Sequence, residues 1–170
     1  MRKVYPVKKN RSLKENVKVI LPLMYDDFMS FKDRVVNHPR LKIPLHRMRI
    51  KGKPMRYAME YVENAFSKRF RDCLDEIKDV IELMGEIHDC DVNIPELNIH
   101  LTEIREFNQK VKVNAQRFPL KPVLLLIKEL RTERMMMYKK LCETLNKWEK
   151  DDFRSKLVTS MVEPPRRIRG

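Results

Sequence analysis

The chain has 170 residues, 42% of them hydrophobic, and its 37 basic and 24 acidic residues give a formal net charge of +13, which allows one domain with its own core and argues against a second independent one. The charge is regional, with 16 basic and 5 acidic groups in residues 1–60, 6 and 12 in residues 61–110, and 15 and 7 in residues 111–170, so one cationic face fits better than a uniformly basic surface. Cys73, Cys90 and Cys142 form no C-x-x-C pair and are odd in number, against a disulfide framework and for a reducing compartment, while the longest aliphatic run, Val123 to Ile127, is too short to cross a membrane.

Residues 1–11 are basic, contain Pro6 and show no period, and they carry no hydrophobic signal core. They read as an N-terminal arm, a leader strand or loose segment, of a cytoplasmic protein. Ser12 followed by Glu15 has the form of a capping box and predicts a helix start. The seam of that helix is Val17, Leu21, Met24, Phe28, Phe31 and Val35, with a bend expected at Pro22. Asn37 to Pro44 breaks the pattern.

Residues 45–66 carry two stripes at helical spacing. Leu45, Met48, Gly52, Met55, Met59, Val62 and Phe66 recur at intervals of three and four, as a core-facing seam does. Beside them stand His46, Arg49, Lys53, Arg56 and Glu60, a cationic ridge flanked by Arg47 and Lys51. From Arg34 through Met59 there are eight Lys or Arg and no Asp or Glu, so local acidic partners are lacking and an anionic ligand is the natural complement. A charged helix face is often merely solvated; a row directly beside a buried seam, however, points into clefts. Gly52 and Pro54 predict a kink or tightening, and glycine on the seam admits a neighbouring helix closely.

A third helix is expected from about Arg69, with Phe70, Leu74, Ile77, Ile81 and Met84 on its seam and His88 four residues further on. By its spacing alone such a histidine reads more readily as a core or helix-end residue than as a ligand. Asn93, Pro95 and Glu96 look like the start of a new helix, with Leu97, Leu101, Ile104 and Val111 on one face and an end before Phe118-Pro119. After Pro122 the longest periodic run sets Ile127, Leu130, Arg134, Met137, Leu141, Leu145 and Trp148 in one row. Arg134 interrupts it, either as a snorkelling rim residue or as a contribution from a second helix to a cationic cleft. Phe153, Leu157 and Met161 suggest that the helix resumes after Asp151, and residues 163–170, EPPRRIRG, read as a frayed basic tail. No segment shows period-two alternation. The predicted fold is therefore all-α, a bundle of five or six amphipathic helices over residues 12–162.

The run LHRMRIKGKPMRYAMEYV resembles the signature helix of the CHAD family, the conserved-histidine α-helical domain, in which a histidine precedes a regular series of arginines and lysines. LMGEIHDCDV, residues 83–92, resembles a second element of that family, and KELRTERMMMYKKLCETLNKWEKDDFRSKL is similar to the helical segment that closes one half of such a domain. Fuller members resemble two bundles related by a pseudo-two-fold axis, whereas each motif occurs here once. The resemblance implies binding of inorganic polyphosphate through His46, Arg47, Arg49, Lys53 and Arg56, with Lys42, His88 and Arg134 as further members of the site. Arginine offers phosphate bidentate donors, lysine a mobile charge, and histidine a donor that strengthens on protonation near neutral pH.

A general nucleic-acid-binding protein is the alternative that charge supports equally, although helix-turn-helix, zinc and RNA-platform signatures are lacking and only Tyr57 and Tyr61 interleave with the basic row. A metal-dependent phosphohydrolase is suggested only weakly by His88-Asp89 and Asp91, the other histidines being His38, His46 and His100. Three glycines, Gly52, Gly85 and Gly170, cannot make a phosphate loop. The expectation is a protein that is not an enzyme, takes no cofactor or metal, does not enter a membrane, and pairs as a homodimer through positions such as Met135, Met136 and Tyr138 to cover a half-exposed seam.

Overall fold

The computed structural model describes residues 5–162, and within them every regular element is helical. Six α-helices follow in order: α1 (Leu13–Met29), α2 (Lys32–Val35), α3 (Lys42–Val62), α4 (Lys68–Lys110), α5 (Lys121–Lys150) and α6 (Phe153–Val162). Short 3-10 turns, Glu63–Ala65 and Asn114–Gln116, lead into α4 and α5. Residues 163–170, the expected tail, lie outside the described residues, as do residues 1–4 of the arm.

The capping box forms as its sequence predicts. The Glu15 amide donates to Ser12 Oγ at 3.2 Å and the Ser12 amide to Glu15 Oε2 at 2.8 Å, so two free amides of the first turn of α1 are satisfied reciprocally. The Ser12 hydroxyl also donates to Glu15 Oε2, at 2.7 Å, and with the Ser12 amide it holds the Glu15 carboxyl below the usual carboxylate range. The end of the arm is strapped rather than loose: Asn16 brackets the backbone of Lys8, accepting from its amide at 2.8 Å and donating to its carbonyl at 2.9 Å, and Tyr5 reaches Asp27. The first seam divides where the sequence showed none, since α1 closes at Met29 and α2 begins after Phe31.

The core lies where α1, α3, the first half of α4, the end of α5 and α6 meet. All seven seam residues from Leu45 to Phe66 are buried, and Met48, Met55, Met59 and Phe66 are fully so. At Gly52 a Cβ would stand 2.9 Å from Phe28 and 3.0 Å from Ile81, so the bare backbone is what lets α1, α3 and α4 close on one another. Trp148 and Phe153 stack with ring centroids 4.3 Å apart across the α5–α6 turn, and the indole donates to Glu76 at 3.1 Å. Burial pushes the Cys73 thiol up to about 11 and Cys90 upward as well, which suits protonated apolar filler.

The largest departure from expectation is α4, one helix of 43 residues where two were predicted. Pro95 is not in a first turn but inside it. Proline removes the amide that would reach the carbonyl of residue 91, and Lys42 Nζ donates to that carbonyl instead, at 3.2 Å. A side chain from another helix therefore compensates the lost ladder bond, and sequence spacing within 93–96 carries no sign of it. At 1.5 Å per residue α4 is about 65 Å long and α5 about 45 Å. Their far halves form an antiparallel hairpin beyond the main core, where Leu101 and Ile127 are buried and Asn108 closes the turn by pairing with both backbone groups of Phe118. Among the described residues no helix is long and apolar enough to cross a membrane.

Candidate functional site

The ridge lies on the flank of α3 that meets α4, and the antiparallel course of the two helices sets its neighbours. The rings of His46 and His88 lie with centroids 4.8 Å apart and planes at 34°. One turn along, the Arg49 guanidinium lies against Gly85. A Cβ built there would touch Nε and Nη2 of Arg49, each at 3.5 Å. His46 Nδ1 and Arg49 Nε are both buried, and neither has a hydrogen-bond partner among the described residues. Buried nitrogens of this kind are normally satisfied. Two of them side by side on a cationic helix is a departure that asks for an acceptor.

The rest of the expected set divides. Lys53, half-buried on the same ridge, makes no ion pair among the described residues, and neither does the exposed Arg47, one position off the ridge. Arg56 is paired: its Nε donates to Glu60 at 2.8 Å, and that bond holds its guanidinium firmly in the charged form. Lys51 approaches Asp27 at 3.4 Å. The expectation that this row lacks acidic partners holds within its own stretch of sequence and fails in space, because α1 and α4 supply carboxylates and Glu60 folds back one turn.

Lys42 and Arg134 need a clearer correction. Both converge on Asp91, which is itself buried: Arg134 binds it through Nε at 2.7 Å and Nη2 at 3.2 Å, and Lys42 Nζ stands 3.3 Å from the same carboxylate. Arg134 is neither a snorkelling rim residue nor a free cation of the cleft. It is a bidentate tie between α5 and α4. In the sequence Asp91 stood out only beside His88-Asp89 as a weak hint of a metal site, and its spacing of four before Pro95 was the one signal that its carbonyl would need an outside donor.

A cavity of about 460 Å³ elsewhere, lined by residues including Arg69, Lys156, Asp72, Asp151 and Asp152, mixes both signs of charge and presents no comparable field. No group of three or more His, Cys, Asp or Glu able to hold a metal ion occurs among the described residues. Comparison with known protein families matches residues 10–98 to the CHAD domain, just over half of the chain. The chain belongs to the CHAD domain family. In this CHAD protein the match spans α1 to α3 and runs into α4 just past Pro95, taking in both the histidine ridge and the Gly85–His88 turn that faces it. No curated protein and no solved structure matches the sequence.

Proposed function

We propose that this CHAD protein binds inorganic polyphosphate without catalysis, along the α3 ridge at His46, Arg49 and Lys53 and against His88 of α4. The observation that carries the reading is the pair of buried nitrogens at His46 and Arg49 that lack a partner among the described residues, set beside Lys53, which makes no ion pair with those residues either. Phosphate oxygens are acceptors with charge, and they would satisfy a guanidinium and an imidazole N–H at once. A helix presenting a cation each turn suits a flexible polyanion whose repeat is phosphate alone. Base recognition would need aromatic platforms, and the two nearby tyrosines, Tyr57 and Tyr61, are exposed on the outer side of the helix.

Immobilised polyphosphate, titrated with protein across a salt series, tests the reading. Affinity should fall steeply and linearly in log–log form, as counterion release requires, and soluble polyphosphate should compete better than single- or double-stranded nucleic acid at the same salt. Stronger competition by nucleic acid would favour the general nucleic-acid reading instead.

Two copies are also proposed to pair, though not for the reason the sequence suggested. The seam of α3 is fully covered within one chain, and Tyr138 is buried, its hydroxyl donating to the Val35 carbonyl at 2.6 Å. What favours pairing is the exposure of Met135 and Met136 on α5 together with Leu124, Leu125 and Leu126 of the hairpin.

A further inference from the structure

The ridge of α3 is longer than the part of it whose charge is free. Lys42, His46, Arg49, Lys53 and Arg56 follow at steps of four, three, four and three, so Lys42 stands one turn before His46 on the same flank, and Arg56 one turn beyond Lys53. Each of these outer cations meets a carboxylate, and among the described residues the three inner ones do not. At one end Asp91 takes Lys42, at 3.3 Å, while its own charge is shared with Arg134. At the other end Glu60 takes Arg56 at 2.8 Å, with Lys78 at 4.0 Å. The two arrangements are built differently, one across three helices and one within a single turn, yet they act alike on the row.

We infer that Asp91 and Glu60 are specificity-determining residues that delimit the phosphate site, acting as built-in counterions that withhold Lys42 and Arg56 from the ligand. This rests on the polyphosphate reading and deepens it. The open track from His46 to Lys53 spans about 10 Å of helix axis, against about 21 Å for the whole ridge from Lys42 to Arg56. The protein thus engages a short segment of anionic chain, and the flanking carboxylates repel the phosphates on either side of it. Removing Glu60 should add Arg56 to the track, with Lys78 still beside Asp75 at 3.8 Å, and removing Asp91 should add Lys42, the Arg134 side chain being too deeply buried to reach the ligand.

The test is the salt dependence of polyphosphate binding for the full chain and four variants, Glu60→Gln, Asp91→Asn, Lys42→Met and the double variant Asp91→Asn/Lys42→Met. Each cation that joins a polyanion steepens the log–log slope by roughly 0.7–0.9, so Glu60→Gln and Asp91→Asn should each add about that much and bind more tightly at low salt. Lys42→Met alone should leave the slope unchanged, because that lysine is held by Asp91. In the double variant it should cancel the gain. Unchanged slopes in folded Glu60→Gln and Asp91→Asn, with normal binding by the wild type, would overturn the inference alone. A wild type that does not bind polyphosphate at low salt would overturn the reading of the site and this inference with it. Should Asp91→Asn fail to fold, Glu60→Gln and Lys42→Met still decide, and a shallower slope in Lys42→Met would show that the lysine already contacts ligand.

Discussion

Replacing Gly52 by alanine sets two effects of similar size against each other, and the geometry decides between them. In a helix interior alanine is favoured over glycine by about 1 kcal/mol. At position 52, however, the new methyl would lie 2.9 Å from Phe28 Cε2 and 3.0 and 3.1 Å from Ile81 Cγ1 and Cδ1. Phe28 is fully buried and Ile81 almost so, and neither is a flexible chain end that can swing away into solvent. Overpacking costs about 1–3 kcal/mol, and contacts this short to two side chains that cannot move aside put the cost at about 2–3 kcal/mol. The net expectation is a loss of about 1–2 kcal/mol, seen in thermal unfolding followed by circular dichroism as a fall of roughly 3–6 °C in Tm. Gly85→Ala provides the contrast on the same apparatus. Its nearest neighbours stand at 3.5 Å in ordinary contact, so the helix propensity acts unopposed and Tm should rise by roughly 2–4 °C. A Gly52→Ala protein as stable as the wild type, or two variants that shift alike, would refute the claim that bare backbone at Gly52 is what closes the three helices.

Other consequences follow from the site and its supports. Arg134→Met removes the bidentate partner of the buried Asp91 and leaves Lys42 as its sole cation; urea unfolding should show a loss of about 2–3 kcal/mol, below the usual cost of breaking a buried pair because that lysine remains. His46→Gln should weaken polyphosphate binding at fixed pH and low salt, because the ring that faces His88 and its buried nitrogen are lost. Static light scattering at low salt should give twice the chain mass and tighten with polyphosphate; a monomer under both conditions would end the proposal of pairing.

How far the sequence could be read depends on whether the relevant partners are close in it. The seam of α3 was legible in full because a 3.6-residue period records burial directly, and Ser12 with Glu15 declared a cap because both members lie within one turn. His46 and His88 were placed in one site only through family resemblance, since no local pattern joins residues 42 positions apart. Pro95 misled for a physical reason. A proline near an asparagine and a glutamate describes a helix start well, and the donor that lets the helix run through it, Lys42, belongs to α3. The same lysine and Arg134 stand among the expected site residues because no local pattern shows the carboxylate that pairs with both, Asp91, which reaches them from α4. Gly85 was quoted as part of a motif without a role, and only the packing reveals that its bare surface receives the Arg49 guanidinium.

The account stands or falls on the ridge. The decisive measurement is the affinity of the triple variant Arg49→Ala/Lys53→Ala/Arg56→Ala for polyphosphate, set against the wild type over the same salt series, with circular dichroism on both proteins to establish an equal helical content. These side chains lie beside the seam rather than in it, and alanine is the strongest helix former, so the fold should survive. The account predicts that binding at low salt is lost or nearly so and that what remains has a slope shallower by about two cations or more. A folded triple variant that binds with unchanged affinity and unchanged slope would contradict it and send the search for the anion site elsewhere on the molecule.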